Sequence, residues 1–169
     1  MTELTPDRII MMAKLRKITN LWGPITSVLN SNTVLCGGLV LQTILGENWN
    51  TDIDIFTTEH LTSIDGLQFN RCCDDSYTII PGVKDLYRGE FYGVKIDIIH
   101  MTSLDDVFSG FDFDFCKVSF DGQHFHMKNP YSVLHKVCTL HESAVCLKKA
   151  SERIPKYEAR GFTIKRQRT

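Results

Sequence analysis

The sequence predicts an α+β fold, a small mixed β-sheet flanked by helices, within a single domain spanning residues 1–169. Three observations predict it. Apolar runs of strand length, such as Ile53–Thr57 and Val94–Ile99, lie between segments of helical period such as Leu39–Leu45. Asp121-Gly122 separates two alternating runs and reads as a hairpin turn. The 169 residues are 43% hydrophobic and 23% charged, enough apolar material for one real core and too much for a disordered chain.

Taken in order, Thr5-Pro6-Asp7 opens a helix. Thr5 can cap it, Pro6 suits its first position, and Ile9, Ile10, Met12 and Leu15 supply an apolar face. A second turn begins at Gly23-Pro24. The apolar run Thr33–Cys36 breaks at Gly37-Gly38, after which Leu39, Leu41, Gln42, Ile44 and Leu45 recur at helical spacing and stop at Gly46. Ile53–Thr57, Tyr77–Ile80 and Val94–Ile99 read as strands, with a shorter one at Leu86–Tyr87 inside a turn-rich stretch. Ser103 begins a short capped helix. Phe111–Phe120 alternates strictly and leads into the hairpin with His124-Phe125-His126, and Ser132–Arg160 reads as mostly helical.

No apolar run approaches the ~18 residues a membrane span needs. The start, MTELTPDRIIMMAKLRK, places acids first and lacks a clean apolar stretch before a cleavage site, so it does not read as a secretory signal. The six cysteines, at 36, 72, 73, 116, 138 and 146, form no C-x-x-C pair. Reduced thiols in a cytoplasmic, reducing compartment are the expectation. Charge is uneven: Leu147–Thr169 carries eight basic residues against Glu152 and Glu158, while the whole chain is −1. A basic segment behind an acidic body suggests a polyanion or intramolecular contact, and a solvated helix face accounts for it equally well.

The sharpest feature is Thr51-Asp52-Ile53-Asp54-Ile55-Phe56. On a strand, Asp52 and Asp54 share one face while Ile53 and Ile55 take the other. Two such carboxylates repel each other, and a divalent cation with a taste for oxygen ligands, Mg²⁺ above all, relieves that repulsion. Asp97 is a lone acid in the apolar run Lys95-Ile96-Asp97-Ile98-Ile99. Three acids on two strands are suited to holding metal against a substrate phosphate. Upstream, Gly37-Gly38 at a helix start bares backbone N–H groups to an anion.

In that order, Leu35-Cys36-Gly37-Gly38, a helix, the D-x-D strand and the Asp97 strand resemble the nucleotidyltransferase superfamily, which has the fold of DNA polymerase beta. The resemblance covers about residues 33–100. Gly38 stands where many members carry serine. Ser109–Lys117 with Asp121-Gly122 resembles small viral and phage proteins of this type more loosely.

The resemblance implies transfer of a nucleoside monophosphate from an NTP to a hydroxyl acceptor: an RNA end, a protein side chain or a small molecule. Asp52, Asp54 and Asp97 would be the catalytic and metal-holding residues for Mg²⁺ or Mn²⁺. Asp97 would also help deprotonate the acceptor. Gly37 and Gly38 would cradle phosphates, with Lys95 as a further nucleotide contact. The alternative is an inactive nucleotide- or partner-binding module of the same fold.

Other candidates are weaker. Asp112 and Asp114 read as the wet face of a Phe-lined strand, with Asp112 a possible support to the site. His124, His126, Cys138 and His141 fit no standard zinc spacing. Trp22 and Trp49 read as core or rim, with Trp49 able to border the cleft. No P-loop, H-E-x-x-H or G-x-S-x-G occurs.

Overall fold

Thr5, Pro6 and Asp7 start α1 (Pro6–Ile18) as the sequence predicts, the Thr5 hydroxyl accepting a hydrogen bond from Arg8 N at 3.1 Å. The computed structural model describes residues 4–50, 52–72, 82–91, 93–141 and 147–167. The predicted strand Tyr77–Ile80, together with Thr51, Cys73, Cys146 and Arg168, lies outside them. The buried face of α1 differs from the expected one. Met11 and Leu15 are fully buried, whereas Ile9 and Ile10 are about half exposed at 46% and 48%.

Next come α2 (Trp22–Val28), β1 (Thr33–Cys36), α3 (Gly38–Leu45) and β2 (Ile53–Thr57). Three short strands follow, β3 (Ser63–Ile64), β4 (Leu67–Gln68) and β5 (Asn70–Cys72), then the long pair β6 (Val83–Phe91) and β7 (Val94–Met101). The strand foreseen at Leu86–Tyr87 is thus the middle of a nine-residue one. Ser103 accepts from Asp105 N at 3.1 Å ahead of a 3-10 turn over Leu104–Gly110.

Strict alternation over Phe111–Phe120 predicts one strand, and the structure corrects this. Asp114–Cys116 forms a 3-10 turn and only Val118–Phe120, β8, is extended. Phe113 and Phe115 are both buried and stack at 5.2 Å between ring centroids, so packing of the rings sets the local backbone. The hairpin is present: β9 (Phe125–Met127) neighbours β8, and Gly122 turns the chain at φ +100°.

The segment read as mostly helical is also corrected. α4 (Pro130–His135) ends at Lys136, in the left-handed region at φ +52°. β10 (Val137–His141) follows, then α5 (Leu147–Glu158) and β11 (Thr163–Gln167). β10 and β11 pair in parallel, Cys138 opposite Ile164 and Leu140 opposite Arg166.

The chain groups into two units, Met1–Gly110 with Val118–His126, and Phe111–Lys117 with Met127–Thr169. The first holds the main sheet, its seven described strands in the order β5-β6-β7-β2-β1-β8-β9. β2 and β7 are parallel, while β1 pairs antiparallel with β2 and β6 with β7, making the predicted mixed sheet. Leu35, Ile55 and Ile98 are in register across β1, β2 and β7, and all three are fully buried. α3 packs on β1, β8 and α1. The second unit centres on Phe113, Phe115, Tyr157 and Phe162, whose rings lie 4.3 to 5.5 Å apart.

Candidate functional site

One residue beyond the apolar row, the register places a polar row on the opposite face of the sheet. Cys36 on β1 pairs with Asp54 on β2, Asp54 with Asp97 on β7, and Asp97 with Arg88 on β6. The two acids that sequence reasoning placed on separate strands are therefore direct cross-strand neighbours. Asp52 stands just before β2, and its N–H is fixed by Asn50 Oδ1 at 2.9 Å.

The charges on this row act on one another. Burial first, then the charge of Asp97, pushes the Asp54 carboxyl from the usual 3.8 up to about 7, with Asp52 adding to the rise. Lys95 and Arg88 pull the other way. Burial and the charge of Asp54 push the Cys36 thiol well above its ordinary range, so Cys36 is a packing residue and no nucleophile. Asp97 is 1% exposed; Arg88 Nε donates to its Oδ1 at 2.7 Å and Nη2 to its Oδ2 at 3.2 Å. Lys95 Nζ, on a side chain 42% exposed, lies 3.9 Å from Asp97 Oδ2.

Gly37 caps α3 with φ +86° and ψ −154°, a backbone state effectively reserved for glycine. A Cβ placed on it would stand 3.3 Å from Asp54 Oδ2. A Cβ on Gly38 would come to 2.8 Å from Asn50 Nδ2, so Asn50 occupies the space a serine hydroxyl would otherwise share. The glycine step, Asp54 and Asn50 thus come together.

A buried polar network fixes the loop between α3 and β2. Gln42, fully buried, accepts at Oε1 from Lys14 Nζ (2.8 Å), Trp49 N (2.8 Å) and Asn50 N (3.2 Å), and its Nε2 donates to Asn50 O at 2.7 Å. Lys14 also donates to Glu47 O at 3.0 Å and to Asn48 Oδ1. Burial, then Lys17, holds the Lys14 ammonium below its usual range. Gln42 and Arg88 are the residues sequence reasoning missed here. Arg88 had a usable signal: folding Val83–Phe91 back on Val94–Met101 about the Gly93 turn sets 88 opposite 97.

The remaining candidates fall elsewhere. Asp112, 4% exposed, pairs with Arg153 at 3.1 Å, and Asp114 pairs with Lys117 at 3.1 Å, all within the second unit. His126 Nε2 lies 2.8 Å from Asp121 Oδ2, and Trp22 sits under the Arg8 guanidinium at 5.0 Å. Among the described residues no three His, Cys, Asp or Glu side chains are grouped to hold a metal ion. Of the basic segment, Lys165 and Arg166 are exposed on β11. No described helix is long and apolar enough to cross a membrane.

No family model and no curated protein matches the chain. Solved structures do. The Thermotoga maritima CCA-adding enzyme complexed with tRNA matches with TM-score 0.61 at 16% identity over 97% of this chain and 43% of that one. A CCA-adding enzyme complexed with CTP matches with TM-score 0.58 at 15% identity over 92% of this chain and 43% of that one. The fold is nucleotidyltransferase-like. A CCA-adding enzyme complexed with ATP agrees, with TM-score 0.54 at 17% identity over 96% of this chain. This chain spans 40 to 43% of the length of those enzymes, and at such identities the nucleotidyltransferase-like fold is what the likeness shows.

Proposed function

We propose that the chain is a metal-dependent nucleotidyltransferase that moves a nucleoside monophosphate from an NTP to a hydroxyl acceptor. The observation that carries this reading is the Asp54–Asp97 register pair, set beside a glycine-capped helix start on a nucleotidyltransferase-like sheet. Fold alone would not suffice, since one fold hosts many chemistries.

The donor set fits Mg²⁺ or Mn²⁺. Carboxylate oxygens are the hard ligands such ions take, and Asp54 is a buried carboxyl raised by burial and then by the charge of Asp97, its neighbour in register. Asp52 and Asp54 would hold the ion, with Asp97 next in register. A divalent ion bound there supplies charge neutralisation at the α-phosphate and the departing pyrophosphate. Gly37 and Gly38 would present backbone N–H groups to phosphate oxygens at the start of α3, where the helix dipole favours negative charge. Lys95, half exposed beside the acids, reaches toward the same anion. The acceptor oxygen attacks the α-phosphorus, a new P–O bond forms, the α–β bridging bond breaks, and the hydroxyl proton passes to a site carboxylate.

An RNA end, a protein side chain or a small molecule can supply the hydroxyl. The solved relatives complexed with tRNA, CTP and ATP favour an RNA acceptor, as does the exposed Lys165–Arg166 pair. One observation favours a second reading, a nucleotide- or partner-binding module without turnover: both oxygens of Asp97 are already engaged by Arg88.

The deciding experiment is Mg²⁺- and Mn²⁺-dependent pyrophosphate release from each NTP, with RNA and protein offered as acceptors. Release that disappears in the Asp52→Asn, Asp54→Asn double variant establishes the enzyme. NTP binding without release establishes the module.

A further inference from the structure

Arg88 grips Asp97 with two parallel hydrogen bonds, at 2.7 and 3.2 Å, one to each carboxylate oxygen. This fork is the strongest geometry available to an Arg–carboxylate pair. It is built into the sheet, because the β6–β7 register sets the two residues directly opposite each other. Asp97 is 1% exposed, so water offers it little, and a fixed cation is what makes an ionised carboxylate tolerable there.

Among these residues the charges then pair off with one cation to spare. Arg88 balances Asp97, while Asp52 and Asp54 together match one divalent ion. Lys95 at 3.9 Å is left over as a partly exposed cation beside the cluster.

We propose that Arg88 is the permanent partner of Asp97, so that a divalent cation at this site is held by Asp52 and Asp54 and Asp97 is not a metal ligand. Asp97 anchors Arg88, and Arg88 is a positioning residue that keeps a fixed positive charge two strands away from the metal carboxylates. The inference rests on the reading of the site as metal-binding, and it departs from the three-ligand expectation drawn from the sequence.

The test is Mn²⁺ titration of the full chain, followed by the electron paramagnetic resonance signal of free Mn²⁺, with no nucleotide present. Asp54→Asn is expected to weaken binding by more than the roughly tenfold that loss of a mere supporting partner can cost, because it removes a direct carboxylate ligand. Arg88→Gln unmasks the Asp97 charge beside the site and is expected to tighten Mn²⁺ binding; unchanged or weaker binding overturns the proposal. Arg88→Gln with Asp97→Asn removes the pair and leaves the net charge as it was. Affinity within about threefold of the unsubstituted chain supports the assignment, and a loss as large as that of Asp54→Asn makes Asp97 a ligand and overturns it.

If the single variant does not fold, as read by circular dichroism, the double variant alone decides. Arg88→Lys, which keeps the charge without the fork, is a check on folding and is expected to retain the affinity. An unsubstituted chain that binds no Mn²⁺ removes the metal reading itself. Binding in the unsubstituted chain that collapses only in the double variant removes the Asp97 assignment and leaves the metal reading standing.

Discussion

Gly37 faces Asp54 so closely that a methyl group added to the glycine would stand 3.3 Å from the carboxylate Oδ2. The glycine is also the N-cap of α3, at φ +86° and ψ −154°. One residue therefore ends a strand, starts a helix and leaves open the space above a metal-binding candidate. Gly37→Ala is expected to cost about 1–3 kcal/mol from backbone strain alone. It should also crowd Asp54, so Mn²⁺ affinity falls along with stability. Urea unfolding and Mn²⁺ titration of the same preparation check both; an alanine variant as stable as the parent would contradict the conformational argument.

Gln42 holds the loop that delivers Asn50 and Asp52 to the site. Gln42→Leu keeps the volume but deprives Lys14 Nζ and the Trp49 and Asn50 N–H groups of a common acceptor. Each stranded polar group costs roughly 1–3 kcal/mol, so a loss of about 3 kcal/mol is expected. Because the same loop carries Asp52, pyrophosphate release should fall further than stability explains under conditions where the variant is still folded. Denaturant titration beside a turnover assay separates the two effects.

The sequence singled out candidate site residues as well as the fold class, for physical reasons. Asp52, Asp54 and Asp97 stand out because acids in apolar strand runs are costly, and Gly37-Gly38 because glycine marks backbone that other residues reject. Register is a different matter: the Asp54–Asp97 pairing depends on which strands are neighbours, a tertiary fact. α1 shows why a face can be misjudged, since residues 9 to 12 are all apolar and periodicity cannot choose among them. Phe111–Phe120 shows that alternation is not sufficient for a strand when aromatic rings pack locally. At Val137–His141 the left-handed Lys136 ends the helix, and that conformation is uncommon enough for lysine to leave no sequence signal.

The described cysteines should divide by reactivity. Cys36, Cys116 and Cys138 are buried free thiols, while Cys72 is partly exposed. Burial pushes the Cys116 thiol up to about 12 despite its hydrogen bond to the Tyr157 hydroxyl at 3.3 Å, and Cys138 up to about 11. At about pH 8 these three should resist an aromatic disulfide reagent in the native chain and react fully in denaturant, because the thiolate is the reacting form. Mass-spectrometric mapping of the labelled positions reads the outcome, with Cys72 expected to be modified before the other three.

Asp54 contributes a pH dependence to the stability of the metal-free chain. Its carboxyl is raised from 3.8 in the unfolded reference to about 7 in the fold, by burial and then by Asp97. Between those values the native state keeps a proton that the unfolded state has released, and stability therefore declines as pH rises through this window. The contribution is complete below the unfolded value and gone above the folded one. A metal ion needs the ionised carboxylate, so its stabilisation runs the opposite way and grows as pH rises. Thermal unfolding between about pH 4.5 and pH 7.5 should accordingly show a falling midpoint without metal. Saturating Mg²⁺ should flatten or reverse that fall, and in Asp54→Asn both the fall and its Mg²⁺ rescue should largely vanish. A midpoint in the parent chain that rises with pH in the absence of metal would mean that Asp54 is ionised throughout, and that Arg88 and Lys95 already balance the whole row.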